Sequence, residues 1–135
     1  VCFAGDGCLQ MSVQELATVR QYGLKIVIVV IDNGIFGSIR MHQEMHYPGR
    51  VHGTTLENPD FIVLAKAYGL EAATVARTEQ FAEALERAMQ TSGSTLIRVC
   101  IDPEAITPRS TLTALRERAV KELGIADAAE LAPKP

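Results

Sequence analysis

The sequence predicts an α/β fold: a three-layer, doubly wound, mostly parallel sheet with helices on both faces. Three observations carry that expectation. Strand-like and helix-like patterns alternate from one end of the chain to the other, the signature of parallel strands joined by helical crossovers. The run Lys25 to Ile31 contains six consecutive β-branched residues with no polar face, as expected of a central parallel strand covered by helices on each side. At 135 residues the chain is long enough for one such domain and too short for two ordinary ones.

The elements follow in order. Val1 to Ala4 is a short strand that ends at Gly5-Asp6-Gly7. Ser12-Val13-Gln14-Glu15 has the form of a capping box, and Val13, Leu16, Ala17 and Val19 mark the apolar stripe of a helix that Gly23 stops. The strand Lys25 to Ile31 ends at Asp32-Asn33-Gly34. A helix is expected from about Phe36 to Met45, then a loop holding Pro48-Gly49 and Gly53. Asn58-Pro59-Asp60 reads as a helix start, with Asn58 as cap and Pro59 at the first position, and the helix runs to Tyr68 before Gly69. Leu70 to Val75 is a strand, Thr78 caps a helix through about Thr91, and Thr95 to Ile101 is a strand ended by Asp102-Pro103. A last amphipathic helix spans about Thr111 to Leu123. Residues 1–123 are therefore expected to form the domain, and 124–135 a mobile Ala/Pro/Lys-rich tail.

Composition excludes several classes of function. Thirteen Lys and Arg against sixteen Asp and Glu give a net charge of -3, which argues against a general nucleic-acid binder. The longest apolar run is far too short to cross a bilayer, and no targeting signal is visible. Cys2, Cys8 and Cys100 lack metal-knuckle or disulfide-framework spacing, so a reducing, cytoplasmic setting is expected. Cys2 and Cys100 read as buried strand residues. Opening directly on a strand, the chain reads as cut from something longer.

In open parallel sheets ligands bind beyond the carboxyl ends of the strands. Two such ends carry suitable atoms. Gly5-Asp6-Gly7-Cys8 flanks a carboxylate with glycines, which let main-chain N–H groups approach a ligand; by itself the tripeptide also reads as a plain tight turn. Asp32-Asn33-Gly34-Ile35-Phe36-Gly37 follows the buried strand. If the two strands are neighbours, about 4.8 Å apart, Asp6 and Asn33 could reach one cation. A carboxylate and an amide oxygen without convergent His or Cys make a hard-oxygen site suited to Mg²⁺, which completes its shell with phosphate oxygens and water.

This pair of sites resembles the motif of the thiamine diphosphate enzymes, which begins Gly-Asp-Gly and, one helix and one strand later, ends in Asn-Asn. The run Gly5 to Leu16, the segment Asn33-Gly34-Ile35-Phe36-Gly37-Ser38-Ile39-Arg40, and Asn58-Pro59-Asp60-Phe61 with Ala65-Lys66-Ala67-Tyr68-Gly69 resemble the branch containing acetolactate synthase, pyruvate decarboxylase and benzoylformate decarboxylase. The resemblance covers roughly residues 1–107 and is nearest to acetolactate synthase-like proteins. It implies the thiamine diphosphate-binding fold. It implies that Asp6 and Asn33 ligate Mg²⁺ through side-chain oxygens and Ile35 through its main-chain carbonyl. Gly5 belongs to the same turn, Gly7 and Cys8 would hold the diphosphate through main-chain N–H groups, and Phe36 and Gly37 would flank it. Two positions depart from the pattern: Asp32 replaces the first Asn, and Cys8 replaces a hydroxyl.

The family's catalytic glutamate lies on a separate pyrimidine-binding domain, normally of a partner subunit, so no catalytic residue is expected in this chain, and alone it should be inactive. Glu15, Glu44 and Glu57 stand in the wrong context to substitute. The resemblance further implies a 2-oxo acid substrate, decarboxylation or carboligation, a homodimer or homotetramer, and leaves FAD in a middle domain open. Alternatives are a benzoylformate- or oxalyl-type decarboxylase of the same superfamily, or a binding and assembly module that keeps the fold without catalysis. His42 and His46 could share a helical face, but no third ligand has metal-site spacing. Arg40 could face an anionic substrate or form a surface ion pair.

Overall fold

The computed structural model describes residues 1–125; from residue 126 onward the expected tail lies outside the described residues. In chain order the elements are β1 (Cys2–Gly5), α1 (Asp6–Gln10), α2 (Glu15–Gln21), β2 (Val27–Asp32), α3 (Gly37–His46), α4 (Phe61–Ala67), β3 (Glu71–Val75), α5 (Glu79–Gln90), β4 (Thr95–Cys100) and α6 (Leu112–Glu122). They fall into two compact units, 1–33 with 57–101 and 34–56 with the described residues from 102 onward.

The first unit is the predicted parallel sheet, in the order β1-β2-β4-β3, with every pairing parallel. The two most apolar strands, β2 and β4, lie in the middle, and the alternation of their side chains builds a core on each face. On one face Ile28 and Val30 of β2 and Leu96 of β4 pack with Leu9, Leu16, Phe61, Ala65 and Leu70, which brings α1, α2 and α4 onto the sheet. On the other, Val27 and Val29 of β2 pack with Val75, Ile97, Ala84 and Ala88, the last two from α5. Helices thus cover both faces, as the doubly apolar β2 required.

The helix starts differ from the sequence reading. The chain turns helical at Asp6, directly after β1, and continues through turn-type bonds in which the Ser12 amide donates to the Leu9 carbonyl and the Glu15 amide to the Ser12 carbonyl. Ser12 therefore meets no fresh helix end. Its hydroxyl contacts the Cys8 carbonyl, the Glu15 carboxylate accepts from Thr18, and the expected capping box does not form. The cap of α4 is Asp60, whose carboxylate accepts from the Ile62 and Val63 amides at 2.8 and 3.1 Å, in place of the expected Asn58. Those two amide bonds hold the Asp60 carboxyl below its usual range. Thr78 stands at the start of α5 in helical conformation and makes no side-chain cap; the Gln80 side-chain carbonyl takes the Ala76 and Arg77 amides instead. Thr111, where the last helix was expected to begin, caps α6 by accepting from the Ala114 amide. Cys2 and Cys100 are exposed, against the reading of both as buried: each is the terminal residue of its strand, where solvent reaches the sheet.

In the second unit α3 packs on α6. Glu44 of α3 is buried completely, and the Arg116 guanidinium of α6 meets both of its carboxylate oxygens, with Nε 2.8 Å from Oε2. The Gly49 amide adds a third bond at 2.9 Å. Burial pushes the Glu44 carboxyl upward, but the hydrogen bonds from Arg116 and Gly49 and the charges of Arg116 and Arg40 outweigh it and leave the group lowered. Glu44 is thus held as a paired carboxylate between α3 and α6.

Replacing Arg116 with Ala strands a buried charge and should destabilise the protein by about 2–4 kcal/mol, somewhat under the fully buried limit because part of the Arg116 side chain stays in solvent. Because the Glu44 carboxyl is lowered on folding, the pair's contribution is complete above the ordinary glutamate range and disappears as pH falls through and below it. Thermal melts from pH 7 to pH 3 should therefore show a steeper acid loss for the wild type than for the double variant Glu44→Leu/Arg116→Leu.

Candidate functional site

The parallel register that aligns Gly5 with Ile31 puts Asp6 and Asp32, the next residue of each chain segment, side by side at the carboxyl ends of β1 and β2. Both are nearly buried, at 3% and 6% exposure, although two carboxylates in such proximity repel. The surrounding groups answer this with donors. The Gly7 amide donates to Asp6 Oδ1 at 2.8 Å. Asn58 Nδ2 donates to Asp6 Oδ2 and to Asp32 Oδ1, each at 2.7 Å. Arg98 Nε, reaching across from β4, lies 2.6 Å from Asp32 Oδ2, and that hydrogen bond raises the Arg98 guanidinium despite its partial burial. Gln10, the last residue of α1, completes the set: its Nε2 donates to Asn58 Oδ1 at 2.7 Å.

Asp32, the departure from the family motif, is therefore neutralised within the sheet. Arg98 and Asn58 occupy one oxygen each, so its charge is directed at β4. Asn33 follows it, half-buried, at the end of β2. Gly5 caps α1 with an ordinary φ of -70°, and a Cβ there would meet Cys8 Sγ at 3.8 Å, an ordinary contact; the glycine is not demanded by backbone conformation. Gly7 is buried within α1 and Cys8 is exposed.

Ile35, Phe36 and Gly37 belong to the second unit. There Gly34 has a φ of +67°, which L side chains adopt only with strain, and the chain is tied down beyond it. The Leu56 amide donates to the Gly34 carbonyl at 2.8 Å, Ile35 bridges Thr55, and the Phe36 amide donates to the Thr54 carbonyl at 2.9 Å. Phe36 is the residue before α3 and supplies no side-chain cap, and Gly37 is its first helical residue. Arg40 donates to the Thr54 and Thr55 hydroxyls. The His42 and His46 rings stack on one helix face, 6.1 Å between centroids. Among the described residues no group of three or more His, Cys, Asp or Glu could hold a metal by themselves. A cation here would depend on a single carboxylate helped by amide and carbonyl oxygens.

Sequence reasoning missed Asn58, Gln10 and Arg98. One signal pointed toward them: two acidic residues at adjacent strand ends need buried donors, and Asn58 and Arg98 are polar residues in otherwise apolar or capping contexts.

The fold and this strand-end arrangement define a class: a parallel α/β domain carrying an oxygen-donor site where β1 and β2 end. Residues 1–99 match the family model for the C-terminal TPP-binding domain of thiamine pyrophosphate enzymes, and the chain belongs to that family. Acetolactate synthase isozyme 2 large subunit of Escherichia coli K12 is 40% identical over 103 residues, covering 76% of this chain and 19% of that protein. Acetolactate synthase of Arthrospira platensis is 38% identical over 100 residues, covering 73% and 17%. Among solved structures, the thiamine diphosphate-dependent 4-hydroxybenzoylformate decarboxylase of Rhodococcus jostii RHA1 is 30% identical with a TM-score of 0.69, over 74% of this chain and 19% of that one. Benzoylformate decarboxylase of Polynucleobacter necessarius is 29% identical with a TM-score of 0.71, over 78% and 20%. The chain spans about a fifth of the length of the relatives it matches.

Arg98→Met should leave the Asp32 charge uncompensated and destabilise the domain by roughly 1.5–3 kcal/mol, the scale of a hydrogen bond to a charged group. Asp32→Asn in the same protein should restore most of the loss, which urea unfolding of the four-member cycle would measure.

Proposed function

We propose that residues 1–123 form the thiamine diphosphate- and Mg²⁺-binding domain of an acetolactate synthase-like enzyme, which decarboxylates a 2-oxo acid and joins the product to an acceptor. The observation that carries this reading is the Asp6 carboxylate, buried and held by Gly7 and Asn58 at the end of β1, within the segment that matches the family. Asp6 and Asn33 would give side-chain oxygens to Mg²⁺ and Ile35 its main-chain carbonyl. Gly7 and Cys8, in the turn that Gly5 opens, would donate main-chain N–H groups to the diphosphate, with Phe36 and Gly37 beside it.

The donor set fits the ion. It is all oxygen, with one net carboxylate once Asp32 is paired to Arg98, and Mg²⁺ favours few protein carboxylates plus phosphate oxygens and water. Bound thiamine diphosphate supplies the electron sink for carbanion chemistry; this chain's residues bind and orient its diphosphate, and none is assigned a proton transfer. That role falls to the glutamate of a pyrimidine-binding domain in a partner subunit of a cytoplasmic homodimer or homotetramer. FAD, if used, would sit in a middle domain. No helix among the described residues is long and apolar enough to cross a membrane.

A second reading, a benzoylformate-type decarboxylase, draws on the two solved relatives, both enzymes of that type. The higher identity to the acetolactate synthases favours the first. Assaying the full-length protein with pyruvate and with benzoylformate separates the two.

Calorimetry of the full-length protein should show thiamine diphosphate binding that requires Mg²⁺. Asp6→Ala should weaken it by at least about 100-fold, about 2.7 kcal/mol at 1.36 kcal/mol per tenfold. Affinity that survives this change would place the metal elsewhere.

A further inference from the structure

We propose that Asn58 is a positioning residue for Asp6: anchored by Gln10 and the Asp32–Arg98 pair, its amide holds the Asp6 carboxylate in the orientation in which it meets Mg²⁺. The inference rests on the cofactor reading above and adds a residue that the motif does not contain.

The hydrogen-bond inventory of Asn58 leaves one arrangement. Its side chain touches two carboxylates, which only accept, so the NH₂ group must face them and the carbonyl must face Gln10. Each of the two N–H bonds is thereby spent on a different aspartate, and Oδ1 is held by the Gln10 amide. The backbone is restrained as well. Pro59 disfavours the helical region for Asn58, and Asp60 pins the following turn to the first amides of α4. Asn58 is thus a rigid bracket between the ends of β1 and β2 and the start of α4.

The bracket acts on the carboxylate directly: the Gly7 amide donates to Oδ1 and Asn58 to Oδ2, so donors from two separate segments set the orientation of the two oxygens. The Asp32–Arg98 pair serves as the anchor because it cannot follow Asp6 if Asp6 turns: Asp32 belongs to the central strand β2 and Arg98 to β4. Groups that orient a metal ligand in this manner commonly change metal affinity by 10–100-fold when removed.

The test is the Mg²⁺ dependence of thiamine diphosphate binding by the full-length protein, measured by calorimetry across a metal series. Asn58→Ala should raise the Mg²⁺ midpoint by about 10–100-fold, while at saturating Mg²⁺ cofactor affinity returns to within about threefold of wild type, since the ligands themselves are intact. A purely structural role would lower the melting temperature without moving that midpoint. Gln10→Ala, which loosens the bracket without touching either aspartate, should shift the midpoint in the same direction by about 2–5-fold, and it decides the matter if Asn58→Ala does not fold. Midpoints within about twofold of wild type overturn the inference while leaving the cofactor reading intact. A wild-type protein with no Mg²⁺ dependence overturns both.

Discussion

Two aspartates forced together by the register of parallel strands are the constraint around which the first unit is organised. Because β1 pairs with β2 so that Gly5 meets Ile31, Asp6 and Asp32 cannot avoid one another, and both are withdrawn from water. Burying two like charges is tolerable only if donors surround them. Those donors come from four separate places: the Gly7 amide in α1, Asn58 ahead of α4, Arg98 on β4 and, at one remove, Gln10 at the end of α1. The carboxyl ends of β1, β2 and β4 and the entry to α4 are thereby linked by polar bonds, while the apolar cores on either face fix where the strands and helices lie.

The second unit uses the same device with the opposite consequence. Glu44 is buried as deeply as any residue in the core, and Arg116 meets it with two bonds. Both carboxylate oxygens are committed to that guanidinium, with Gly49 added, so the group is structural. At Asp6 the Gly7 and Asn58 donors are neutral N–H groups, which orient the carboxylate without cancelling its charge. On the proposed assignment, that difference separates a carboxylate that locks two helices from one that meets a cation.

The sheet was legible because its signal is local. A doubly apolar β-branched run has few homes other than a central parallel strand, and β2 alternates between the two cores as that reading requires. Helix starts were less legible, since a capping residue is recognisable only if the helix begins where its pattern suggests. Ser12 failed because the chain had already turned helical at Asp6. Asn58 and Asp60 are both good caps, and the choice between them fell to Asp60 because the two aspartates beyond β1 and β2 claimed Asn58. Such long-range claims, across 52 and 26 positions, leave no periodicity to read. Asp6, Gly7, Asn33 and the following Ile35-Phe36-Gly37 were found through a family motif, whereas Asn58, which also holds Asp6, lies beyond it.

Charge accounting explains how the domain tolerates Asp32 where its family usually has asparagine. On the proposed assignment a divalent cation meeting Asp6 keeps one positive charge to offer the diphosphate. A second free carboxylate at the neighbouring strand end would cancel that remainder and turn the site against an anionic ligand. Arg98 prevents this by taking Asp32 Oδ2 at 2.6 Å, so that the pair is formally neutral, as an asparagine would be. What the substitution changes is stiffness: a charge-assisted bond between central strands is stronger than a neutral one, and Asn58 fastens Asp6 to it. On that assignment the acidic residue that departs from the family pattern is the fixed point from which the carboxylate proposed to meet the metal is held.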